Sequence, residues 1–304
     1  MTMLLNALLL VSATASVSLN LNAPSKDLLV AEPLKLVLRW RAPREIDVRL
    51  DNQNHGFRYL QFWIDDGSGP KRYCEASRAP SESLTARVLP KNQDEVVQNV
   101  VLVQGSYGEN CTIAGNTFPF SRAGRYSLKA VYSDGRLRAE SNSLSFDVKE
   151  PTGKEREVLE RVVKDPSILL EGSRRERLFE KYVDSPYLRF AQIRALDERE
   201  IKLRGHQNPD TGESLWHLDM DDYNAFCVRY HKRMAEELLA ASDWGPFEEE
   251  RLQLAVSHSE QGDDQNAAER LKAEIMERFP RSQALQEIKA RESDGDEPAV
   301  KPKQ

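Results

Sequence analysis

A histidine and three aspartates fall within seven residues of the sequence, in Trp216-His217-Leu218-Asp219-Met220-Asp221-Asp222. His231 follows on the next predicted helix. Imidazole nitrogens and carboxylate oxygens bind divalent cations. His217, Asp219, Asp221 and His231 are therefore a candidate metal site, provided that the loop folds back onto this helix. A metal-dependent hydrolase is the enzyme class that such a site suggests.

The same aspartates have a second, favoured interpretation. Asp219, Asp221 and Asp222 stand at the start of a helix predicted over residues 219–241, where carboxylates cap free backbone N–H groups and interact favourably with the helix dipole. Elsewhere the sequence contains no Gly-x-Ser-x-Gly, phosphate-binding glycine loop or His-Glu-x-x-His motif. We therefore expect a protein that is not an enzyme and needs no cofactor.

Aromatic residues in the first half of the chain suggest a further alternative. Trp40, Trp63 and Tyr73 could line a platform for a sugar, as in carbohydrate-binding β-sandwiches, or they could fill a hydrophobic core. Core packing is the favoured interpretation, and the sequence alone does not show which strand face each ring occupies.

Length and charge limit the other classes of function. A chain of 304 residues suggests two domains. Residues 1–150 carry 18 Lys/Arg and 16 Asp/Glu, whereas residues 151–304 carry 25 and 33. An acidic second half argues against nucleic-acid binding. No internal apolar run is long enough to predict a transmembrane segment.

The first fifteen residues are typical of a signal peptide. An apolar stretch ends at Ala13-Thr14-Ala15, a small-x-small pattern that a signal peptidase accepts. We therefore expect an exported protein, periplasmic or secreted. Cys74 and Cys111 fall in the same predicted β-domain and either pair as a disulfide or stay reduced, while Cys227 lies on an apolar helix face and is expected to be a buried thiol.

Residues 17–149 alternate between apolar and polar side chains, which predicts an antiparallel β-sandwich. Before the last hairpin stands Arg122-Ala123-Gly124-Arg125-Tyr126-Ser127-Leu128. This segment resembles the tyrosine corner of immunoglobulin-like and fibronectin-like domains. The resemblance implies an immunoglobulin-like fold and a hydrogen bond from Tyr126 to an upstream carbonyl.

The period changes to about 3.6 after Pro151, which predicts a helical domain over residues 153–292 and a disordered tail over 293–304. A Gly262-Asp263 turn, the small Ala268 and Phe279-Pro280 follow one another. This order is similar to a tetratricopeptide repeat, and the resemblance implies one or two such repeats among irregular helices.

Together these patterns predict a β-then-α protein that binds another protein or a peptide. A sandwich displays loops, and stacked helix pairs form a concave groove. Tyr187, Phe190, Tyr223 and Tyr230 are the aromatic residues expected to line that groove. The predicted function is an exported, non-catalytic adaptor, with a metal-dependent hydrolase or a carbohydrate-binding protein as alternatives.

Overall fold

The computed structural model describes residues 17–42, 46–48, 52–53, 56–57, 59–75, 87–89, 95–108, 117–169, 178, 181–182, 184–241, 243–282, 285–286 and 288–289. The predicted order, strands first and helices second, is confirmed. The predicted signal peptide at 1–15, Cys111 and the predicted tail at 293–304 lie outside the described residues. Within the described part of the chain, no helix has the length and apolarity needed to cross a membrane.

The first half of the chain forms β-strands. They are β1 (Ser18–Asn22), β2 (Asp27–Leu29), β3 (Leu34–Arg41), β4 (Ile46–Val48), β5 (Asn52–Gln53), β6 (Gly56–Phe57), β7 (Leu60–Asp65), β8 (Lys71–Glu75), β9 (Arg87–Leu89), β10 (Val96–Leu102), β11 (Gly105–Tyr107), β12 (Gly124–Ser133), β13 (Arg138–Glu140) and β14 (Leu144–Lys149). The main sheet has the order β11-β8-β7-β12-β14-β2, and β13 also pairs with β12. Strands β1, β3 and β10 form a second, antiparallel sheet, and β4-β9 and β5-β6 are short pairs.

Alternating apolar side chains direct one side of the long strands into a common core. Every second residue is buried along β7 and along β14, as expected for strands with one covered face. Trp40 of β3 packs edge to face against Tyr132 of β12, with ring centroids 5.3 Å apart. The two sheets therefore contribute to one core.

The prediction of an immunoglobulin-like antiparallel sandwich is wrong. Strand β2 runs parallel to β14, with Leu28 opposite Val148, so the main sheet is mixed, and it curls into a half-barrel. The Tyr126 hydroxyl does donate to the Arg122 carbonyl at 2.9 Å. That bond spans only four residues and does not determine which strands pair, so the local motif was compatible with a different sheet.

Five α-helices whose ends are defined follow in the described residues: α1 (Gly153–Lys164), α2 (Pro186–Arg204), α3 (Met220–Ala240), α4 (Glu248–Gln261) and α5 (Gln265–Arg278). The prediction of a tetratricopeptide-like domain is wrong. Gly262 and Asp263 do separate α4 from α5, but α2 and α3 have 19 and 21 residues and a long loop between them. One helix hairpin satisfies the local pattern without a repeat array.

The hydrophobic cores do not divide at the predicted boundary near Pro151. Val158 and Val162 of α1, and Tyr187 and Leu188 at the start of α2, pack into the core of the β-sheets. The second core begins at Leu196 and contains the later helices. The Tyr187 side chain is 0% exposed, and its hydroxyl donates to the Val30 carbonyl at 2.6 Å. The beginning of the helical half is thus fastened to the strands.

Glu32 lies buried beside this junction, and burial raises the pKa of its carboxyl from 4.5 to about 7. Because the folded pKa is raised, the folded state holds a proton there that the unfolded state has released, so this group lowers stability as pH rises from about 5 to 8. Glu32→Gln is expected to raise the free energy of unfolding by about 2 kcal/mol at pH 8 and much less at pH 5. Urea denaturation at pH 5 and at pH 8 measures the free energy of unfolding of both proteins. An equal gain from Glu32→Gln at the two pH values would contradict the prediction.

Candidate functional site

The loop over residues 205–219 joins α2 to α3 and is fixed by its own hydrogen bonds. The Leu215 N–H donates to the His206 carbonyl at 2.7 Å, and the Asn208 N–H donates to the Glu213 carbonyl at 2.8 Å. At its end the Asp219 side chain accepts from the Asp222 N–H at 2.9 Å and caps α3. The loop therefore has a defined shape despite its polar, turn-rich sequence.

Three rings are stacked where this loop meets α3. His206 lies between Trp216 and Tyr223, with centroid distances of 4.0 and 4.3 Å and interplanar angles of 5° and 8°. The Tyr223 hydroxyl donates to the Leu203 carbonyl at 2.7 Å, which anchors the stack to α2. Trp216 at the outer end is 72% exposed. The outer ring of the stack, Trp216, is thus presented to solvent while its inner face rests on His206.

The sequence on either side of Trp216 is acidic. Residues 205–228 contain five carboxylates and no Lys or Arg, and Glu213, Asp219, Asp221 and Asp222 among them are exposed. Met220, another exposed apolar side chain, begins α3. We call Trp216, Met220 and these four carboxylates, all of them exposed and within residues 213–222, the Trp216 face.

The four aromatic residues predicted to line a partner groove lie apart. Tyr187 is in the core of the β-sheets, and Tyr230 is buried in the helical core. Phe190 is partly buried against both cores, with its ring centroid 6.1 Å from that of Phe247. Tyr223 is the member that reaches the Trp216 face, as the inner ring of the stack. Trp216 was named within the candidate metal segment but was not predicted to contact a partner. A tryptophan in a polar loop was the feature of the sequence that could have indicated this role.

The residues predicted as metal ligands are also separated. The exposed His217 has its Nδ1 3.0 Å from the Ser214 carbonyl, and Asp219 is occupied in capping α3. Within the described part of the chain, His231 forms a potential ligand group with Glu200 and His258, and with none of His217, Asp219 or Asp221.

Glu200, His231 and His258 come from three helices, α2, α3 and α4. The two Nδ1 atoms lie 2.9 Å apart, and Glu200 Oε1 lies 3.6 Å from Nδ1 of His231 and 3.8 Å from that of His258. Close approach at Gly262 helps to bring α3 and α4 together, because a Cβ on Gly262 would stand 2.9 Å from the Lys232 nitrogen. We call these three residues the Glu-His-His cluster.

Burial governs protonation in this cluster. It lowers the pKa of His231, and burial together with the neighbouring His231 lowers the pKa of His258 to about 4. Burial also raises the pKa of Glu200, against the opposing effect of Arg204. Both imidazoles are therefore neutral near pH 7, and neutral imidazole is the form that binds a metal.

The cysteines and the aromatic residues of the suggested sugar platform are the remaining predicted site residues. Cys74 is disulfide-bonded and Cys227 is a free, partly buried thiol, while Cys111 lies outside the described residues, so the Cys74–Cys111 pairing stays a prediction. Trp40 and Tyr73 of the suggested sugar platform are buried in the core of the β-sheets. They present no ring face to solvent.

Comparison with known proteins gives no family. No family model matches the sequence, and no curated protein matches it. Among solved structures, the sporulation control protein Spo0M from Bacillus subtilis matches with 7% identity and a TM-score of 0.26, over 50% of this chain and 56% of that protein. A β-glucosidase from Listeria innocua in complex with glucose matches with 11% identity and a TM-score of 0.27, over 46% of this chain and 17% of the enzyme.

The bacterial hydrophobin BslA matches with 11% identity and a TM-score of 0.23, over 45% of this chain and 97% of that protein. This chain thus spans about half the length of Spo0M and less than a fifth of the β-glucosidase. Likenesses this weak carry no functional argument.

Proposed function

We propose that this protein is an exported, non-catalytic adaptor that binds a basic segment of a partner protein on the Trp216 face. The observation that carries the proposal is the 72% exposure of Trp216 at the end of a stack of three rings. Tryptophan is enriched among the residues that dominate binding energy at interfaces. Stacking on His206 already restricts the Trp216 side chain, so less conformational entropy is lost when a partner binds.

The charge pattern supports a basic partner. The open face of an indole attracts Lys and Arg side chains through the ring quadrupole, an interaction of about 0.5–2 kcal/mol. The carboxylates of the Trp216 face add long-range attraction for the same cations. The remaining carboxylate of the loop, Asp210, is already paired with Arg233 of α3. A segment in which basic residues flank an apolar one would match both Trp216 and Met220.

Two features support export. Cys74 is disulfide-bonded, and disulfides persist mainly in oxidising compartments such as the periplasm and the extracellular space. The apolar stretch within residues 1–15 has the composition of a signal peptide. An adaptor in such a compartment would meet its partner outside the cytoplasm.

Trp216→Ala is expected to weaken peptide binding at least tenfold, because it removes the ring that carries the proposed contact. The measurement is fluorescence anisotropy with labelled peptides in which two lysines or arginines flank one aliphatic or aromatic residue. Val163→Ala, which truncates another exposed apolar side chain on α1, should bind as the unaltered protein does.

Peptides with glutamate in place of the basic residues should not bind, and added salt should weaken binding of the basic ones. Equal binding by Trp216→Ala and the unaltered protein would contradict the proposal. Binding of soluble oligosaccharides that is lost in Trp216→Ala, without peptide binding, would replace it by the carbohydrate alternative.

A further inference from the structure

We propose that the Glu-His-His cluster is a zinc site, in which Glu200 Oε1, His231 Nδ1 and His258 Nδ1 bind one Zn²⁺ ion. This site lies inside the helical half, differs from the ligand set predicted from the sequence, and does not depend on the adaptor function. Three observations support it: the spacing of the three atoms, the hydrogen bonding of Glu200, and the identity of the ligands.

The spacing fits a zinc ion. A point equidistant from three atoms separated by 2.9, 3.6 and 3.8 Å lies about 2.0 Å from each of them. Zinc binds imidazole nitrogen at roughly 2.0–2.1 Å and carboxylate oxygen at roughly 2.0–2.2 Å. The three side chains therefore need little movement to reach the ion.

Glu200 Oε1 is buried, and none of the described groups donates a hydrogen bond to it. Its distances to the two imidazoles, 3.6 and 3.8 Å, are too long for hydrogen bonds. The imidazoles can form a single N–H···N bond with each other, which leaves the carboxylate oxygen unsatisfied. A cation at the centre would satisfy all three atoms at once.

The ligand types favour a transition metal. Two imidazoles and one carboxylate form a set that zinc uses in proteins, and Fe²⁺ uses it as well, whereas Ca²⁺ and Mg²⁺ prefer oxygen ligands alone. Three protein ligands leave one position of a tetrahedral ion for a water molecule. Because α2, α3 and α4 each supply one ligand, a bound ion would also join these helices and stabilise the folded state.

The test is titration calorimetry with ZnCl₂ on chelator-treated, tag-free full-length protein, together with thermal melting with and without zinc. We expect one ion per chain and a rise in melting temperature, and no rise with MgCl₂ or CaCl₂. Glu200→Gln, which keeps the shape of the side chain, and His258→Ala are each expected to weaken zinc binding at least a hundredfold.

His217→Ala is the matched control, because it removes an exposed histidine that the sequence placed in a metal site. It should bind zinc as tightly as the unaltered protein. Circular dichroism of Glu200→Gln before titration establishes that its helices are intact. The proposal is overturned if the unaltered protein binds no zinc, if folded Glu200→Gln binds it equally well, or if His217→Ala abolishes binding.

Discussion

Lys35→Met is expected to lower the free energy of unfolding by about 3–5 kcal/mol. Lys35 is on β3, its side chain is 2% exposed, and its Nζ lies 2.7 Å from Glu250 and 3.5 Å from Glu249 on α4. Glu250 also accepts from the Asn99 side chain of β10 at 3.0 Å. This buried ion pair joins the antiparallel sheet to the helices, and removing the cation leaves buried carboxylates without their compensating charge.

Burial raises the pKa of Glu250, whereas the ammonium of Lys35 opposes that rise. In Lys35→Met the carboxyl should therefore take up a proton more readily, so that the loss of stability is larger at pH 8 than at pH 5. Urea denaturation measures the loss, and Lys35→Met combined with Glu250→Gln should lose less than Lys35→Met alone.

Lys149→Met is the control for the lysine substitution. Lys149 pairs with Asp27 at 2.9 Å, but both side chains are exposed, and such pairs contribute about 0–1 kcal/mol. If Lys35→Met cost no more than Lys149→Met, the ion pair with α4 would not contribute to holding the two halves together.

Tyr187→Ala is expected to cost about 3–5 kcal/mol of unfolding free energy, the usual range for deleting a fully buried aromatic side chain. Tyr187→Phe keeps the ring but removes the donor to the buried Val30 carbonyl, so its expected cost is about 1–3 kcal/mol. Both are read from urea denaturation of the full chain. The pair of variants separates the contribution of the ring from that of the hydroxyl.

Tyr126→Phe provides the comparison for the hydroxyl, because the Tyr126 hydroxyl bonds to an exposed carbonyl that water can satisfy. Its cost should stay below about 1 kcal/mol. If Tyr187→Ala also lowered the free energy of unfolding by less than about 1 kcal/mol, the start of α2 would not be part of the core of the β-sheets. The chain would then behave as two domains divided near Pro151.

Local patterns predicted the elements well. Alternation along β12 and β14 is visible in the sequence, and the acidic run at Asp219 predicted a helix at 219–241, close to the observed Met220–Ala240. These features depend on residues that are close together in the chain. Which strands pair, and in which direction, depends on residues that are far apart, and a period of two is the same in parallel and antiparallel pairs. The alternation of side chains therefore could not predict the parallel pairing of β2 with β14.

The same limit applies to the two sites. His231 was singled out as a ligand, but Glu200 stands in the charged run Asp197-Glu198-Arg199-Glu200 and His258 between two serines, and neither spacing suggests a metal. Their proximity arises only when α2, α3 and α4 pack together. Likewise, the predicted aromatic groove included Tyr187 and Tyr230 because the sequence does not show which side of a helix is covered.

The pairing of β2 with β14 also has a consequence for the order of folding. Residue 27 cannot form its ladder until residue 147 has been synthesised, and the core beneath them lacks Tyr187 and Leu188 until still later. Contacts between segments so distant along the chain slow folding, because the intervening chain must first be ordered. Strand β2 therefore lacks its final partner until about half of the chain has been synthesised, whereas β1 can pair with β3 as soon as residue 41 is complete, so the half-barrel closes after the smaller sheet has begun to form.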